Sequence, residues 1–308
     1  MKVCFIGVGS IAKRHIRNLR TVCGERCIDV TIDAYRRNPE RPDGVDSVYT
    51  KVSDMPNDYD AVFITNPTEF HLDSLKLFQK KGSAFFIEKP LVSSTQINDA
   101  KNYNTDLGKI YYVASPLRYN PVIMWIKNHI SPSEVLSVRC ISSSYLPEWR
   151  TGQDYRMSYS AHRSMGGGVS TDLIHEWDYI TYIFGWPYEI KCMMGKNSDL
   201  EIDCEDYAIY LAKYDRMTVE IHLDYFGRNT IREIQLITKN GTIVGDLNKN
   251  TIYSLGNGSI MDFHEERDDF QKRELHHFID IIEGKCLIED GFSNGLNVLE
   301  LTQGSIGR

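Results

Sequence analysis

The beginning of the chain decides the fold, because residues 2–12 read KVCFIGVGSIA. An apolar run leads directly into a glycine loop, and Ser10 then begins an amphipathic stretch; a GxGxxG/A pattern is meaningful in this strand, loop and helix setting. Gly7 allows a tight turn, Gly9 lets the backbone approach a pyrophosphate, and Ala12 lets the helix pack on the strand. The N–H groups at the helix start face an anion. The segment therefore predicts a dinucleotide site, with an ordinary tight turn as the alternative.

Outward from this segment, the first 115 or so residues alternate short apolar runs with amphipathic stretches. This alternation is typical of βαβ units and predicts a parallel, doubly wound sheet. Helices are expected to begin at Ser10, near Glu69 and near Ser94. The candidate strands are Lys2 to Ile6, Ile28 to Ala34, Ala61 to Thr65, Ala84 to Ile87 and Ile110 to Ala114.

After Pro121 the sequence is rich in Val, Ile, Tyr and Thr with period-two alternation, which predicts antiparallel strands. Asn240-Gly241 between two apolar runs predicts a hairpin, and a last helix is expected from about Arg267 to Ile282. We therefore expect an α/β protein with a Rossmann domain over residues 1–118 and an α+β domain with an open, mainly antiparallel sheet over residues 119–308. Because an apolar sheet face usually needs covering, a homodimer or homotetramer through this sheet is expected.

Composition excludes several function classes. A formal net charge of −7 disfavours nucleic-acid binding, which needs a dense basic face. No apolar run has the roughly 18 to 20 residues of a membrane-spanning helix, and the glycine loop comes too early to leave room for a signal peptide. The seven cysteines are scattered, which favours reduced thiols and neither a disulfide framework nor a metal site. We expect a soluble, cytoplasmic protein.

The end of the second strand bears on the choice between NAD and NADP. An NAD site would place an acidic residue there to bind the ribose 2′-hydroxyl, and Asp33 has about that spacing. Strand alternation instead puts the strand end near Arg36 and Arg37, whose guanidinium groups could pair with a 2′-phosphate. The sequence favours NADP and leaves NAD open, and the two arginines could also be ordinary surface residues.

Two further elements carry chemistry. Glu88-Lys89-Pro90 follows a strand at the sheet edge where ligands bind, and a lysine there can stabilise a developing alkoxide; the proline bond could be cis. The second element is the glycine triplet 166–168, after which Ser170 or Thr171 could cap a helix. Spacings of three place Asp172, His175 and Asp178 on roughly one helix face, where a histidine can move a hydroxyl proton. The alternative is a buried helix start whose polar groups satisfy one another.

In combination these motifs resemble the Gfo/Idh/MocA oxidoreductases, named for glucose-fructose oxidoreductase, inositol dehydrogenase and a rhizopine-catabolism protein. The matching residues are Gly7 to Ala12, Thr65 to Thr68 with His71, Glu88-Lys89-Pro90, Arg118 to Pro121, and the glycine triplet with Asp172 and His175. The resemblance covers nearly the whole chain and implies a second domain that supplies a pocket over the nicotinamide.

The resemblance also implies roles. Lys89 would polarise the reacting hydroxyl, Asp172 would hold the substrate, and His175 would act as acid and base, with Arg118 and Tyr119 also contacting the substrate. The residues expected at the cofactor are Gly7, Gly9, Ser10, Ile11, Ala12, Arg36, Arg37, Asn66, Pro67, His71, Glu88 and Lys89. The aspartate and histidine are three positions apart where the family more often has four, so the histidine is the firmer assignment.

The segment from Tyr145 to Arg150 is similar to family members associated with bacterial surface-sugar pathways. Trp149, Arg150 and Arg156 could bind an acidic or nucleotide-linked sugar by stacking and bidentate pairing, or they could form an ordinary surface loop. The expected function is hydride transfer between NAD(P) and a hydroxyl or keto carbon of a sugar, polyol or nucleotide sugar. Two alternatives remain: a non-catalytic protein that senses dinucleotide or sugar, and a lyase or glycosidase that recycles its bound cofactor.

Overall fold

The computed structural model divides into two compact units. The first unit contains Met1–Ala114 and Asp268–Leu296, and the second contains Ser115–Arg267 and Asn297–Arg308. The residues that the structure describes are 1–256, 258, 260–289 and 291–306.

The strands and helices alternate in the first third of the chain, and strands dominate the remainder. The strands are β1 (Lys2–Ile6), β2 (Thr31–Tyr35), β3 (Ser47–Tyr49), β4 (Tyr59–Ile64), β5 (Gly82–Ile87), β6 (Ile110–Val113), β7 (Val135–Tyr145), β8 (Glu189–Gly195), β9 (Tyr207–Lys213), β10 (Thr218–Asp224), β11 (Phe226–Thr238), β12 (Gly241–Asp246), β13 (Thr251–Ser254) and β14 (Ile260–Asp262). The α-helices are α1 (Ser10–Glu25), α2 (His71–Phe78), α3 (Ile97–Lys101), α4 (Pro121–His129), α5 (Val169–Asp172), α6 (His175–Phe184), α7 (Asp269–Ile282) and α8 (Phe292–Thr302).

In the first unit, six parallel strands form one sheet in the order β3-β2-β1-β4-β5-β6. The central strands are apolar on both faces, so Val3, Phe5 and Phe63 are fully buried, as expected for a parallel sheet covered on both sides. The predicted doubly wound sheet is confirmed, and β1 has the predicted bounds. The sequence interpretation missed β3, since this strand has only three residues and none of them is buried.

Helix α7 belongs to the first unit, although it lies far along the chain. Its residues Leu275 and Phe278 are part of the same buried cluster as β1, β4 and β5. The Phe278 ring centroid is 5.7 Å from that of Phe63 and 5.2 Å from that of Phe86. The observed units therefore differ from the continuous ranges 1–118 and 119–308 predicted above, because the apolar face of α7 completes the Rossmann core.

In the second unit, eight strands form one sheet in the order β14-β13-β12-β11-β7-β10-β9-β8. All neighbouring pairs are antiparallel except β7 with β10. The predicted hairpin is confirmed, since Thr238 pairs with Gly241 and Gly241 has a φ of +134°. The open, mainly antiparallel sheet of the predicted fold class is therefore present.

The described ranges lack two classes of feature. No helix among these residues combines the length and the apolar character needed to cross a bilayer. The same residues contain no group of three or more His, Cys, Asp or Glu side chains arranged to hold a metal ion.

Candidate active site

The glycine loop lies at the carboxyl end of β1, where α1 begins. Gly7 has a φ of +82°, and a Cβ atom there would lie 2.9 Å from the Cα atom of Asn66, so a larger residue does not fit. A Cβ atom on Gly9 would meet nothing within 4 Å, which leaves open space beside the backbone. No side chain caps the first turn of α1, so its first N–H groups are available to an anion. The loop thus has the shape and polarity that a pyrophosphate requires.

The carboxyl end of β4 is tied to the glycine loop. The hydroxyl of Thr65 donates to the carbonyl oxygen of Gly7 at 2.8 Å. The side-chain amide of Asn66 donates to the Ser74 hydroxyl at 2.8 Å, which fixes the start of the 66–67 segment. Asn66 and Pro67 are both partly exposed, so the predicted cofactor contacts from this segment remain open to ligand.

His71 is buried and bound to carbonyl groups. It is 1% exposed, its Nε2 lies 2.9 Å from the Asn66 carbonyl oxygen, and its Nδ1 lies 3.1 Å from that of Pro90. Burial lowers the pKa of His71, and the surrounding carbonyl groups oppose that shift in part. His71 therefore joins the 66–67 segment to the segment around Pro90 from the interior, and its contact with a cofactor stays a prediction.

The Glu88-Lys89-Pro90 segment follows β5 at the same sheet edge. The bond between Lys89 and Pro90 is cis. Glu88 is nearly buried, and its carboxylate accepts from the backbone N–H of Lys89 at 3.2 Å and contacts Nε2 of His15 at 2.5 Å. The side chain of Lys89 is half-buried. Lys89 thereby lies at the same carboxyl edge of the sheet as the glycine loop, with the end of β4 between them.

The acidic and the basic candidates at the end of β2 differ in their exposure. Asp33 lies within β2, is 3% exposed and accepts a hydrogen bond from the Tyr59 hydroxyl at 2.8 Å. Its carboxylate is therefore buried and already hydrogen-bonded. Arg36 follows the strand end directly and lines a cavity of about 840 Å³. Arg37 is exposed and is not among the residues that line this cavity.

The same cavity is strongly cationic. It lies between α1 and the segment 36–44 and contains two carboxylates, those of Glu40 and Asp43. The basic side chains that line it are Lys13, Arg17, Arg20, Arg36 and Arg41. Sequence reasoning found Arg36 and missed the other four, because no local spacing signals that α1 faces this segment.

In the second unit, the glycine triplet leads into α5. Gly168 has a φ of +126°, and a Cβ atom there would lie 2.3 Å from Oε1 of Glu205. The predicted caps are wrong: Gly168 occupies the cap position, the Ser170 hydroxyl donates to Glu205 at 2.6 Å, and the Thr171 hydroxyl donates to the Gly166 carbonyl oxygen at 3.1 Å. The Ser170 hydroxyl therefore binds the buried carboxylate of Glu205 and does not cap α5.

The predicted single helix carrying Asp172, His175 and Asp178 is broken. Helix α5 ends at Asp172 and α6 begins at His175, so the aspartate and the histidine do not share one helix face. His175 is half-exposed between buried neighbours. Asp172 is 4% exposed and accepts a hydrogen bond of 2.6 Å from the hydroxyl of Tyr225.

A second tyrosine also faces Asp172. Burial raises the pKa of Tyr159, and the charge of Asp172 and a hydrogen bond to it add to that shift. Burial likewise raises the pKa of Tyr225, again with a contribution from Asp172. The sequence carried no signal for either tyrosine: Tyr225 is distant from the glycine triplet, and Tyr159, although close to it, belongs to no motif.

Arg118 is buried and paired with a carboxylate. It is 5% exposed, and its Nε and Nη2 donate to the two carboxylate oxygens of Asp178 at 3.0 and 2.7 Å. Its guanidinium also lies 4.8 Å from the ring centroid of Tyr182. Arg118 thus forms a buried ion pair, and its contact with the substrate stays a prediction. Its neighbour Tyr119 is half-buried.

The aromatic and basic loop before the glycine triplet splits into two parts. Trp149 contacts the Tyr225 ring edge-on at 5.2 Å, and the guanidinium of Arg150 lies over the Tyr159 ring at 5.2 Å. Both residues therefore adjoin the tyrosines that surround Asp172. Arg156 is instead paired with Asp154 and Glu201 on the surface, so its charge is already matched by carboxylates.

Comparison with known proteins identifies the family. Residues 1–115 match the model of an oxidoreductase family with an NAD-binding Rossmann fold, and residues 134–306 match the C-terminal α/β domain of the same family. The chain belongs to the Gfo/Idh/MocA oxidoreductase family. The predicted family and fold class are confirmed by these two matches.

Individual members of the family are distant in sequence. Inositol 2-dehydrogenase from Rhizobium meliloti (strain 1021) is 24% identical over 185 residues, which cover 58% of this chain and 54% of that protein. The matched part thus spans about half the length of that relative.

The fold of this chain is also similar to those of solved structures. Levoglucosan dehydrogenase in complex with NADH has a TM-score of 0.85 at 15% identity, covering 99% of this chain and 95% of that one. The WlbA dehydrogenase from Bordetella pertussis, in complex with NADH and UDP-GlcNAcA, has a TM-score of 0.78 at 18% identity, covering 99% and 94%.

Proposed function

We propose that this chain is an NAD(P)-dependent dehydrogenase that transfers a hydride between the nicotinamide and a hydroxyl or keto carbon of a sugar, polyol or nucleotide sugar. One observation carries the proposal: the glycine loop at the start of α1 and the Glu88-Lys89-Pro90 segment lie at the same carboxyl edge of the parallel sheet, after β1 and β5, with β4 between them. This edge is where doubly wound sheets bind ligands. NAD(P), when bound, supplies the hydride acceptor or donor.

The glycine loop is proposed to hold the cofactor pyrophosphate through backbone N–H groups and the start of α1. Gly7, Gly9 and Ala12 give the loop its shape, and Ser10 and Ile11 provide the first N–H groups of the helix. Asn66, Pro67, Glu88 and Lys89 are proposed to lie around the rest of the cofactor, and Arg37 to contribute only from the surface.

We further propose a preference for NADP over NAD. The cationic cavity supports this preference, since Arg36 at the end of β2 lines it together with Lys13 and Arg41. Guanidinium groups pair well with phosphate, and only NADP carries a 2′-phosphate. The burial of Asp33 removes the acidic residue that an NAD site would use. A protein that uses NAD equally well would contradict this part of the proposal.

The chemistry is assigned to three side chains. The ammonium group of Lys89 is proposed to stabilise negative charge on the reacting oxygen, and the imidazole of His175 to take up or return the hydroxyl proton. Asp172 is buried against Tyr225, so its proposed part is to hold the substrate through the partly exposed Tyr159, which it also contacts. The half-exposed position of His175, in a helix turn that is otherwise buried, supports its role.

The substrate is proposed to be an acidic or nucleotide-linked sugar, with use in surface-polysaccharide metabolism. Within the described residues, no carboxylate lies within ion-pairing distance of Arg150, and its guanidinium is stacked on Tyr159. Trp149 beside it offers a flat apolar surface for a sugar ring. Tyr119 is a further proposed contact, whereas Arg156 is already paired with carboxylates.

The assembly and location of the protein are also proposals. Exposed Met193, Leu211 and Leu136 on strands of the eight-stranded sheet support a homodimer or homotetramer through that sheet. All seven cysteines are free, which supports residence in a reducing compartment such as the cytoplasm.

The experiment is a panel of sugars, polyols and nucleotide sugars assayed by nicotinamide absorbance with NAD and with NADP. For an active substrate, Lys89→Ala and His175→Ala should each lower kcat by about 100-fold with little change in cofactor affinity, which is the usual size of an acid–base contribution. Exposed Lys76→Ala and His129→Ala are the matched controls. Full activity in both site variants would exclude the proposed roles.

The same panel separates the alternative functions. Cofactor binding by calorimetry with no turnover of any substrate would favour a sensing protein. Product formation without net change in nicotinamide absorbance would favour a lyase or glycosidase that recycles its cofactor. Arg36→Ala should weaken NADP binding and leave NAD binding unchanged, and equal loss of both would refute the 2′-phosphate assignment.

A further inference from the structure

A histidine on the phosphate-loop helix points away from the loop and into the sheet. His15 is 1% exposed, and its ring packs edge-on against Phe86 at 5.1 Å and tilted against Phe63 at 6.3 Å. Its Nε2 lies 2.5 Å from Oε1 of Glu88. One imidazole thus joins α1, which carries the glycine loop, to the segment that carries Lys89.

Glu88 uses both carboxylate oxygens in this arrangement. Oε1 faces His15, and Oε2 accepts from the backbone N–H of Lys89 at 3.2 Å. Burial acts to raise the pKa of Glu88, but the hydrogen bond from His15 and the charges of His15, Lys89 and His71 outweigh it, and the pKa is lowered. These three are the titratable groups that face Glu88 from α1, from its own segment and from α2.

A structural role alone explains the pair poorly. A buried imidazole packed against phenylalanine rings and a nearly buried carboxylate carry a desolvation cost, and apolar residues of the same volume often stabilise such positions as well or better. The Nδ1 atom of His15 is buried without a hydrogen-bond partner in the described part of the chain. The ring is therefore placed for its one contact with Glu88 and does not complete a wider polar network.

We propose that His15 is a positioning residue of the reaction, which orients the Glu88 carboxylate and through it fixes Lys89 at the sheet edge. The inference rests on the proposed function, because it concerns how Lys89 reaches the reacting oxygen. It adds a residue that neither the sequence motif nor the glycine loop assigns. In this arrangement, the helix that binds the pyrophosphate and the lysine that acts on the substrate are connected by two side chains.

The test compares three variants on α1. His15→Leu removes the donor and keeps an apolar side chain, whereas His15→Gln retains an amide N–H that can reach Glu88. Asn18→Leu is the control, because Asn18 is equally buried one turn further along α1 and its side-chain nitrogen has no partner in the described residues. Each variant is assayed for kcat, KM, cofactor Kd and melting temperature.

We expect His15→Leu to lower kcat at least tenfold while cofactor Kd changes less than threefold. The acid limb of its kcat profile should move to higher pH, because Glu88 loses the donor that favours its ionised form. His15→Gln should recover kcat to within threefold of the wild type, with the acid limb restored. Equal losses of kcat in His15→Leu and Asn18→Leu, or wild-type kcat in His15→Leu, would overturn the inference.

A measurement independent of turnover keeps the test separate from the proposed function. The rate at which an amine reagent labels Lys89 is followed by peptide mass spectrometry, with exposed Lys76 as the internal reference. The rate at Lys89 should change at least threefold in His15→Leu and return in His15→Gln. If no sugar reacts with the wild-type protein, the proposed function fails, but the labelling rate still shows whether His15 positions Lys89 through Glu88. An unchanged labelling rate at Lys89 in His15→Leu overturns the inference.

If His15→Leu does not fold, the comparison of His15→Gln with His15→Asn tests the same inference. Gln places its amide near the Nε2 position of the ring, whereas Asn in His15→Asn ends near the Nδ1 position and cannot reach Glu88. Lys89 labelling and kcat close to wild type in the Gln variant and altered in the Asn variant support the inference. Identical behaviour of the two amide variants overturns it.

Discussion

The buried ion pair of Arg118 and Asp178 offers the sharpest test of the packing in the second unit. Arg118→Met removes the guanidinium and keeps the length of the side chain. The carboxylate of Asp178 then stays in a site where it is 7% exposed and loses the bonds of 3.0 and 2.7 Å described above. The perturbation leaves a buried charge without its cation.

Removing one partner of a buried pair costs about 3–5 kcal/mol, because the remaining charge is uncompensated. Each kcal/mol shifts the melting temperature of a unit of this size by about 2–4 °C, so we expect a fall of about 10 °C. Replacing both partners, as in Arg118→Met with Asp178→Leu, should restore most of that loss, because apolar residues no longer leave a charge in the interior.

The assay is thermal unfolding followed by circular dichroism, together with kcat and KM at a temperature where every variant is folded. Arg139→Met is the control, since Arg139 and Glu220 pair on the surface with side chains 54% and 48% exposed and such pairs contribute about 0–1 kcal/mol. A melting temperature unchanged in Arg118→Met, with KM raised, would refute the reasoning and return Arg118 to the substrate.

Three further predictions concern stability. Gly168→Ala places a Cβ atom 2.3 Å from the Glu205 carboxylate at a φ of +126°, and we expect a loss of about 3 kcal/mol in the free energy of unfolding, measured with urea. Phe278→Ala empties the centre of the first unit and should cost about 3–5 kcal/mol; a loss below 1 kcal/mol would show that α7 is not part of that core. The pKa of Asp46 is lowered: burial opposes the shift, but the Ile32 N–H and an arginine outweigh it. The stability that this carboxylate contributes is present above its unfolded pKa and is lost as the pH falls through its folded pKa. The melting temperature of Asp46→Asn should therefore fall less between pH 6 and pH 3 than that of the wild type. Equal falls in the two proteins would contradict this prediction.

Some of the candidate site was predictable because the signals are local. The glycine loop, the first strand and the start of α1 follow from spacing within a dozen residues, where steric demands on Gly7 and Ala12 act directly on the neighbouring chain. The hairpin at Gly241 is equally local. Glu88-Lys89-Pro90 was placed at the sheet edge because a strand end and a motif coincide there.

Other parts were not predictable because they depend on partners distant in sequence. Whether Arg118 faces a ligand or Asp178 depends on a contact across 60 positions, and sequence spacing carries no information on that choice. The break between α5 and α6 is equally hidden, since the three-residue spacing of Asp172 and His175 also suits one continuous helix.

The sequence by itself determined the fold class, the family and the position of the phosphate loop, because backbone geometry and alternating apolar runs are local properties of the chain. Only the tertiary structure decided which polar side chains are available to a ligand. Asp33 and His71 are turned inward by partners that the chain brings from elsewhere, whereas Arg36 and Lys89 retain partial exposure at the sheet edge. Burial of a polar group has to be matched by a partner in space, and that match is a property of the folded chain.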